Sequence, residues 1–549
     1  MNSSSETDYR PHYHFSPAKG WMNDPNGLLY LDGIWHLFFQ YYPCEPIHGP
    51  MHWGHATSPD LVSWEQQPTA LCPQGPIQIF SGSAVVDYQN TSGFGTAANP
   101  PVVAIYTAHD VMASEPEEEE KQALAYSLDG CLTWTHYEGN PVLASSSLHL
   151  NFRDPKVFWY APGGHWLMVL AVGNRVHFYS SPDLKGWTFL SEFGADCGAH
   201  GGVWECPDLF PLPVQGCAGE GGEQAASEGE KWVLLVSVNP GGPNPGSATQ
   251  YFVGDFDGTA FSVSRVSKTK GRGGTKRAAR EESGESSARW VDWGRDNYAG
   301  VLFNNVPVSD TPLLEGEASP HGRVGSMGLR PRRIMIGWMS NWDYAANLPS
   351  RADGWLGQMT IARELSLVSC PEGYVLKSYP VQELFDHLSC ALTRSGVVRA
   401  DSEAVLIHAD ELDLSCAVIS VSLANLGLGR TTFTLRNGCD ERLFFGIDNA
   451  EGSAGLFVDR RYSGSFAGDE NFAEPVMTAP LFGGPRSEVK FLFVLDKTSV
   501  EIFVDEGLRV MTALFFPKRP FIELSLGAAI AGATFSLEAD EPYRDKHGR

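Results

Sequence analysis

Hydrophobic positions along the chain come in short runs rather than in helical stripes. Gly33–Tyr42 (GIWHLFFQYY), Val102–Thr107, Val157–Tyr160, His165–Ala171, Val176–Ser180, Lys231–Val238 and Arg333–Met339 are β-branched and aromatic segments bounded by Gly, Pro, Asn or Asp. Runs of this length between turn formers predict strands. Beyond Leu367 the texture changes. Residues 368–389 predict a linker with room for one short helix. From residue 390 to 549 short strands recur at regular spacing: Ala404–His408, Leu412–Val421, Thr431–Arg436, Arg442–Asp448, Gly455–Asp459, Val489–Asp496, Ser499–Val504, Arg509–Phe515 and Ile522–Leu526. That spacing predicts a β-sandwich.

The first part of the chain repeats itself. Ser58–Trp64 (SPDLVSW), Ser127–Trp134 (SLDGCLTW) and Ser181–Trp187 (SPDLKGW) each follow a hydrophobic strand, and GDFDGTAF at Gly254–Phe261 is a weaker copy. One strand–turn–Trp unit recurring every fifty to seventy residues predicts blades set around an axis, a β-propeller over residues 10–367. In such a unit the Asp closes the turn on nearby backbone N–H groups and the Trp covers the blade edge. The fold class is therefore all-β in two domains.

Composition adds exclusions. Hydrophobic residues at 42% and charged residues at 19% of 549 are globular values, which rules out disorder of the whole chain. Lys+Arg total 40 against 65 Asp+Glu, a net charge of −25 that repels nucleic acid and anionic membranes and leaves neutral partners open. No apolar run reaches the ~18 residues of a membrane span. MNSSSETDYRPHYHF lacks the basic and apolar regions of a secretory signal, so the expectation is a cytoplasmic protein, or a secreted one if the native start lies elsewhere. Ten cysteines without metal-type spacing read as ordinary thiols. Two segments, 216–231 and 267–289, are low-complexity. The second carries seven basic and three acidic residues but no aromatics, the mark of a solvated loop rather than a nucleic-acid site.

Three carboxylates sit in aromatic, Pro-containing contexts. Asp24 lies in WMNDPNGL (Trp21–Leu28), Asp154 in NFRDP (Asn151–Pro155) and Glu205 in VWECPDLF (Val203–Phe210). Singly, each has a plain explanation: Asp-Pro and Asn-Gly form turns, Arg153 and Asp154 make an ion pair, and a Glu among apolar residues is a buried hydrogen-bonded one. Together they place three acids at the ends of early strands in successive blades, where a propeller points side chains at its axis. An apolar setting raises a carboxyl pKa, which suits Glu205 to general-acid work. Two carboxyls in different environments are what retaining glycoside hydrolysis requires.

These blocks resemble the signatures of glycoside hydrolase family 32, the invertases, inulinases and other β-fructofuranosidases. The resemblance extends to HLFFQYYP (His36–Pro43), MHWGHATSPDLVSWE (Met51–Glu65), FSGSAV (Phe80–Val86), VDWGRDNYAG (Val291–Gly300), IGWMSNWDYA (Ile336–Ala345), VDRRYSG (Val458–Gly464) and SVEIFVDEG (Ser499–Gly507). It implies five blades followed by the sandwich, with no metal or organic cofactor. It implies Asp24 as nucleophile, Glu205 as acid/base and Asp154 as transition-state stabiliser. Asn23, Gln40, Trp53, Phe80, Ser81, Arg153, Tyr298 and Trp338 then line a fructose pocket, with Arg153 keeping Asp154 ionised. Leu356 and Ala362 depart from the family, where Arg and Pro are common. Asn239–Gly258 resembles exo-acting fungal-type relatives.

The expected activity is hydrolysis of the terminal β-D-fructofuranoside of sucrose, and of short inulin- or levan-type fructans. A fructosyltransferase is the alternative within the same chemistry. A non-catalytic sugar sensor is the alternative from another class, opposed by the presence of all three carboxylates.

Overall fold

The computed structural model describes residues 8–116, 119–145, 150–216, 229–264, 288–312, 329–371, 373–399, 403–465, 470–473, 475–528 and 532–542. Nearly all of the two low-complexity segments lies outside these residues. Among the described residues no helix is long and apolar enough to cross a membrane.

Five successive antiparallel blades surround one axis. The first comprises Gly20–Leu31, Ile34–Tyr42, His52–Ser58 and Glu65–Leu71. The second comprises Ile77–Val86, Val102–Asp110, Glu120–Ser127 and Thr135–His136. The third comprises Phe152–Tyr160, His165–Val172, Arg175–Ser181 and Thr188–Phe193. The fourth comprises Val203–Gly216, Glu230–Asn239, Ala248–Phe256 and Phe261–Val263. The fifth comprises Tyr298–Leu302, Ile334–Trp338, Arg363–Cys370 and Gly373–Pro380. The long strand Val203–Gly216 also pairs with the fifth blade through Val214 and Leu367, so these two blades share one sheet.

The sequence repeat is the turn from the third to the fourth strand of a blade. Asp60 accepts the Val62 and Ser63 N–H groups, Leu61 takes φ +64°, and the Trp64 indole N–H donates to the Leu61 carbonyl. Asp183, Leu184 (φ +67°) and Trp187 do the same in the third blade. Asp129 accepts the Thr133 N–H in the second, and Asp257 closes the shorter turn of the fourth on Thr259 and Ala260. The fifth blade has a tight Cys370–Gly373 hairpin instead.

Closure comes from Trp355–Leu356, which pairs in parallel with Gly20 and Trp21. Leu356 and Ala362 are buried packing residues at this seam. The 368–389 segment is not a linker over its first half. Tyr374, Lys377 and Tyr379 are half-buried, Val375, Leu376 and Ser378 are buried, and Tyr374–Tyr379 pair with Glu364–Ser369 as the outer strand of the fifth blade. Only Gln382–Asp386, a short helix, and its flanks connect the two domains.

The sandwich has two six-stranded sheets. One orders Leu388–Val397, Thr534–Pro542, Cys416–Ala424, Val489–Asp496, Ser499–Val504 and Arg509–Leu514. The other orders Glu403–His408, Glu523–Ala528, Gly429–Arg436, Arg442–Ala450, Ser453–Tyr462 and Met477–Pro480. Phe433, Phe445, Phe491 and Phe493 meet at its centre.

Buried charge joins the domains. Arg363 of the fifth blade donates to Glu501 and Thr512 of the sandwich and to Asp292 of the propeller. His14 bridges Asp496 and Glu501 at 2.8 and 2.9 Å. Burial opposes its charge, but these two carboxylates raise it to about 9. Arg460 of the sandwich reaches back to Asp296 and Tyr344. A buried ion pair adds little over an apolar replacement, but removing one partner strands the other. Arg363→Met should therefore destabilise the protein by about 3–5 kcal/mol, because Glu501 and Asp292 lose their shared counter-charge. Denaturant unfolding checks this, and a loss under ~1 kcal/mol contradicts it.

Candidate active site

The innermost strand of every blade slips register near its start, three residues advancing against two on its neighbour, and Gly20–Leu31 slips a second time at Asn26/Leu29. The slips fall at Met22/Pro25, Ile79/Gly82, Arg153/Lys156, Glu205/Asp208 and Tyr298/Val301. An extra residue in one strand re-aims the side chains beside it. Pro25, Pro155 and Pro207 sit in these bulges, where no ladder donor is needed. Asp154 (φ +64°), Cys206 (φ +46°) and Ala299 (φ +54°) absorb the distortion. The Asp-Pro pairs are thus bulges inside strands and not turns at strand ends.

The bulges turn Asp24, Ser81, Asp154 and Glu205 into one cavity of about 360 Å³. Asn23, Gln40, Phe80 and Arg153 share its wall. Asp24 is held by three donors: the Asn23 amide on Oδ1 at 3.1 Å, and on Oδ2 the Ser81 hydroxyl at 2.9 Å and the Cys206 thiol at 3.4 Å. Asn23 is itself fixed by the Trp21 indole N–H, which donates to its Oδ1 at 2.7 Å. The Cys206 backbone N–H donates to Asp154 Oδ2 at 3.0 Å, so one residue ties both aspartates. Glu205 Oε1 accepts from Arg153 Nη2 at 2.9 Å and Nε at 3.3 Å, and Oε2 accepts from the Tyr298 hydroxyl.

Burial is the main influence on both aspartates. It pushes Asp24 up, with the Glu205 charge adding and the three donors opposing. It pushes Asp154 up to about 8; Arg153 pulls the other way, and Glu205 and Asp24 add to the rise. Arg153 therefore does not keep Asp154 ionised. Its guanidinium forks onto Glu205, Glu120 and Asn151 instead.

Four expectations change. Glu205 does not sit in an apolar setting: strand alternation sends Trp204 into the core while Glu205 faces the polar cavity. Trp53 is fully buried with its indole N–H on the Phe80 carbonyl, so it backs the wall that Phe80 lines. Trp338 is likewise fully buried against Trp21, Trp342 and Tyr298, and Trp342 takes the place on the wall. Tyr298 is buried behind Glu205.

The cavity also holds residues that sequence reasoning passed over: His48, His109, Glu119, Glu120, Leu150 and Asn151. His109 stacks on Phe80 with ring centres 4.1 Å apart. Asn151 stood in the NFRDP block and was visible there. Glu119 and Glu120 belong to an acidic run that looks solvated in sequence.

Family models decide the kinship of this site. The family 32 glycosyl hydrolase N-terminal domain matches residues 14–380 and the family 32 C-terminal domain matches 392–540. The chain belongs to glycoside hydrolase family 32. It is 40% identical over 556 residues to the levanase of Bacillus subtilis, covering 100% of this chain and 72% of that protein. The crystal structure of exo-inulinase from Aspergillus awamori superposes with a TM-score of 0.79 at 34% identity, covering 98% of this chain and 99% of that one. The fructofuranosidase of Schwanniomyces occidentalis, solved as an E230A variant complexed with fructosylnystose, gives 0.78 at 28% identity over 97% and 98%. As a member of family 32 the chain is a glycoside hydrolase, and its propeller and sandwich are those of the family.

Proposed function

We propose that this family 32 enzyme is a retaining, exo-acting β-fructofuranosidase that releases terminal fructose from sucrose and from short β-fructans. The observation that carries this is the joining of Asp24 and Asp154 through Cys206 in one cavity with an Arg-held Glu205. Asp24 is oriented by three donors and is the nucleophile at C2. Its attack forms a covalent fructosyl-enzyme as the glycosidic C–O bond breaks, and Glu205 gives its proton to the departing oxygen. Glu205 then takes a proton from water, which displaces Asp24 and restores the configuration at C2. Asp154, not hydrogen-bonded to the Arg153 guanidinium, faces the cavity and can bond the fructosyl hydroxyls, contacts that strengthen as positive charge develops on the ring. Levanase, exo-inulinase and fructofuranosidase relatives support the choice of a fructosyl substrate.

Early-time NMR of sucrose hydrolysis tests the mechanism. β-Fructofuranose should appear before its anomers, with glucose released in equal amount. First appearance of the α-anomer would overturn retention. Oligofructans dominating at high sucrose would mean that a sugar outcompetes water for the intermediate.

A further inference from the structure

We propose that Glu120 is a positioning residue that acts through Arg153 on Glu205, setting the pH range over which Glu205 delivers its proton. The inference rests on Glu205 being the acid/base. Glu120 closes the acidic run SEPEEEEK, yet it is only 7% exposed and lines the cavity. Its Oε2 accepts the Phe152 backbone N–H at 2.6 Å, one residue before Arg153. Its Oε1 accepts from Arg153 Nη1 at 3.1 Å, and Nη1 also donates to Asn151 Oδ1 at 2.8 Å. The remaining edge of the same guanidinium, Nη2 and Nε, holds Glu205. A guanidinium is planar and rigid, so fixing Nη1 fixes the edge presented to Glu205. Four residues from four consecutive blades form the chain Glu120, Arg153, Glu205, Tyr298.

Charge gives the arrangement a second consequence. One guanidinium serves two carboxylates. Without Glu120 more of its charge would bear on Glu205, beside the Coulomb pull of Asp154, and disfavour the protonated donor. The other groups facing Glu205 are Asp24 from the first blade, Asp154 from the third, Cys206 on its own strand and Tyr298 from the fifth. On the second blade His109 lies between Glu119 at 3.3 Å and Glu120 at 3.9 Å.

The test is kcat/KM against pH for Glu120→Gln on sucrose and on an activated aryl β-D-fructofuranoside, whose leaving group needs little protonation. Sucrose turnover should fall about 10- to 100-fold, and the basic limb should move to lower pH by about one pH unit. The loss on the aryl substrate should be smaller by at least about tenfold, since general acid help matters less there. Equal losses on both substrates, or an unmoved basic limb, would overturn the inference. If Glu120→Gln does not fold, Glu120→Asp carries the same comparison, because its shorter carboxylate cannot reach both Phe152 and Arg153. Glu205→Gln separates this from the acid/base assignment. A variant that hydrolyses sucrose like wild type sinks the assignment and the inference with it. An inactive Glu205→Gln beside an unmoved limb in Glu120→Gln overturns the inference alone.

Discussion

Asp24→Ala should lower sucrose turnover by about 10⁴-fold or more, because no other group can form the covalent intermediate. Folding should survive. Asp24 is buried at a cost, and its removal frees the Asn23 amide, the Ser81 hydroxyl and the Cys206 thiol to bond to water in an open cavity. The stronger check is chemical. In Glu205→Ala an activated aryl β-D-fructofuranoside still reacts in the first step, since its leaving group departs unaided. The second step lacks its base, so the fructosyl-enzyme should accumulate. Mass spectrometry of the quenched variant should place one fructosyl unit on the peptide containing Asp24. Turnover of Asp24→Ala within tenfold of wild type, or an adduct on another side chain, would sink the assignment.

The sandwich was the most legible part of the chain. Nine strands stood out because each buries one face in the Phe433–Phe493 core; the other face of Glu403–His408, Gly429–Arg436 and Arg442–Ala450 is half-buried or exposed, while Val489–Asp496, Ser499–Val504 and Arg509–Leu514 are buried on both sides and read as near-continuous apolar runs. Its edge strands Leu388–Val397 and Met477–Pro480 were harder, being short or bearing few buried positions. In the propeller the repeat was legible because an Asp-closed turn needs much the same residues at nearly the same spacing in the first three blades. The innermost strands were the least legible. Gly20–Leu31 carries Asn23, Asp24, Pro25, Asn26 and Gly27, and Val203–Gly216 carries Pro207, Pro211 and Pro213. Those residues are punctuation elsewhere. Here bulges take Pro25 and Pro207; Pro211 and Pro213 stand in the regular ladder beyond the bulge, and the cavity takes the Asn23 and Asp24 side chains. The motifs that marked the chemistry therefore hid the secondary structure that presents it.

The same trade explains which site residues were misjudged. Sequence blocks cannot say which of two neighbouring aromatics faces a cavity. Phe80 and Trp53 are joined by a hydrogen bond, and only Phe80 reaches the wall; Trp342 rather than Trp338 does so on the other side. Nor can adjacency say where a long side chain goes. Arg153 follows Phe152 in a strand, so it and Asp154 would normally point to opposite faces. The bulge brings both to the cavity, but the guanidinium extends past its neighbour to Glu205 and Glu120.

Asp154→Asn should cost activity and gain stability. Its effect on turnover should be a loss of about 10²- to 10³-fold or more, the scale of removing one preorganised electrostatic group from a transition state. The gain follows from linkage. In the folded protein Asp154 is raised from 3.8 to about 8, mainly by burial. Below about pH 4 the carboxyl is protonated whether the chain is folded or not, and ionisation costs folding nothing. As pH rises through the interval between the two values, the unfolded chain ionises first and folding stability falls. Asparagine never ionises, tolerates the φ of +64° at this bulge, and keeps an oxygen for the Cys206 N–H. The advantage of the variant should therefore be near zero at about pH 4 and grow to roughly 2 kcal/mol or more near pH 8. The upper limit is ~1.4 kcal/mol for every pH unit over which only the unfolded chain is ionised, less whatever the site recovers by relaxing. Thermal unfolding of both proteins across that range measures it directly. A variant less stable than wild type at the alkaline end would show that Asp154 is held by its hydrogen bonds more than it is penalised by burial. A rising advantage would show that the fold bears a cost for burying this carboxylate at the cavity wall.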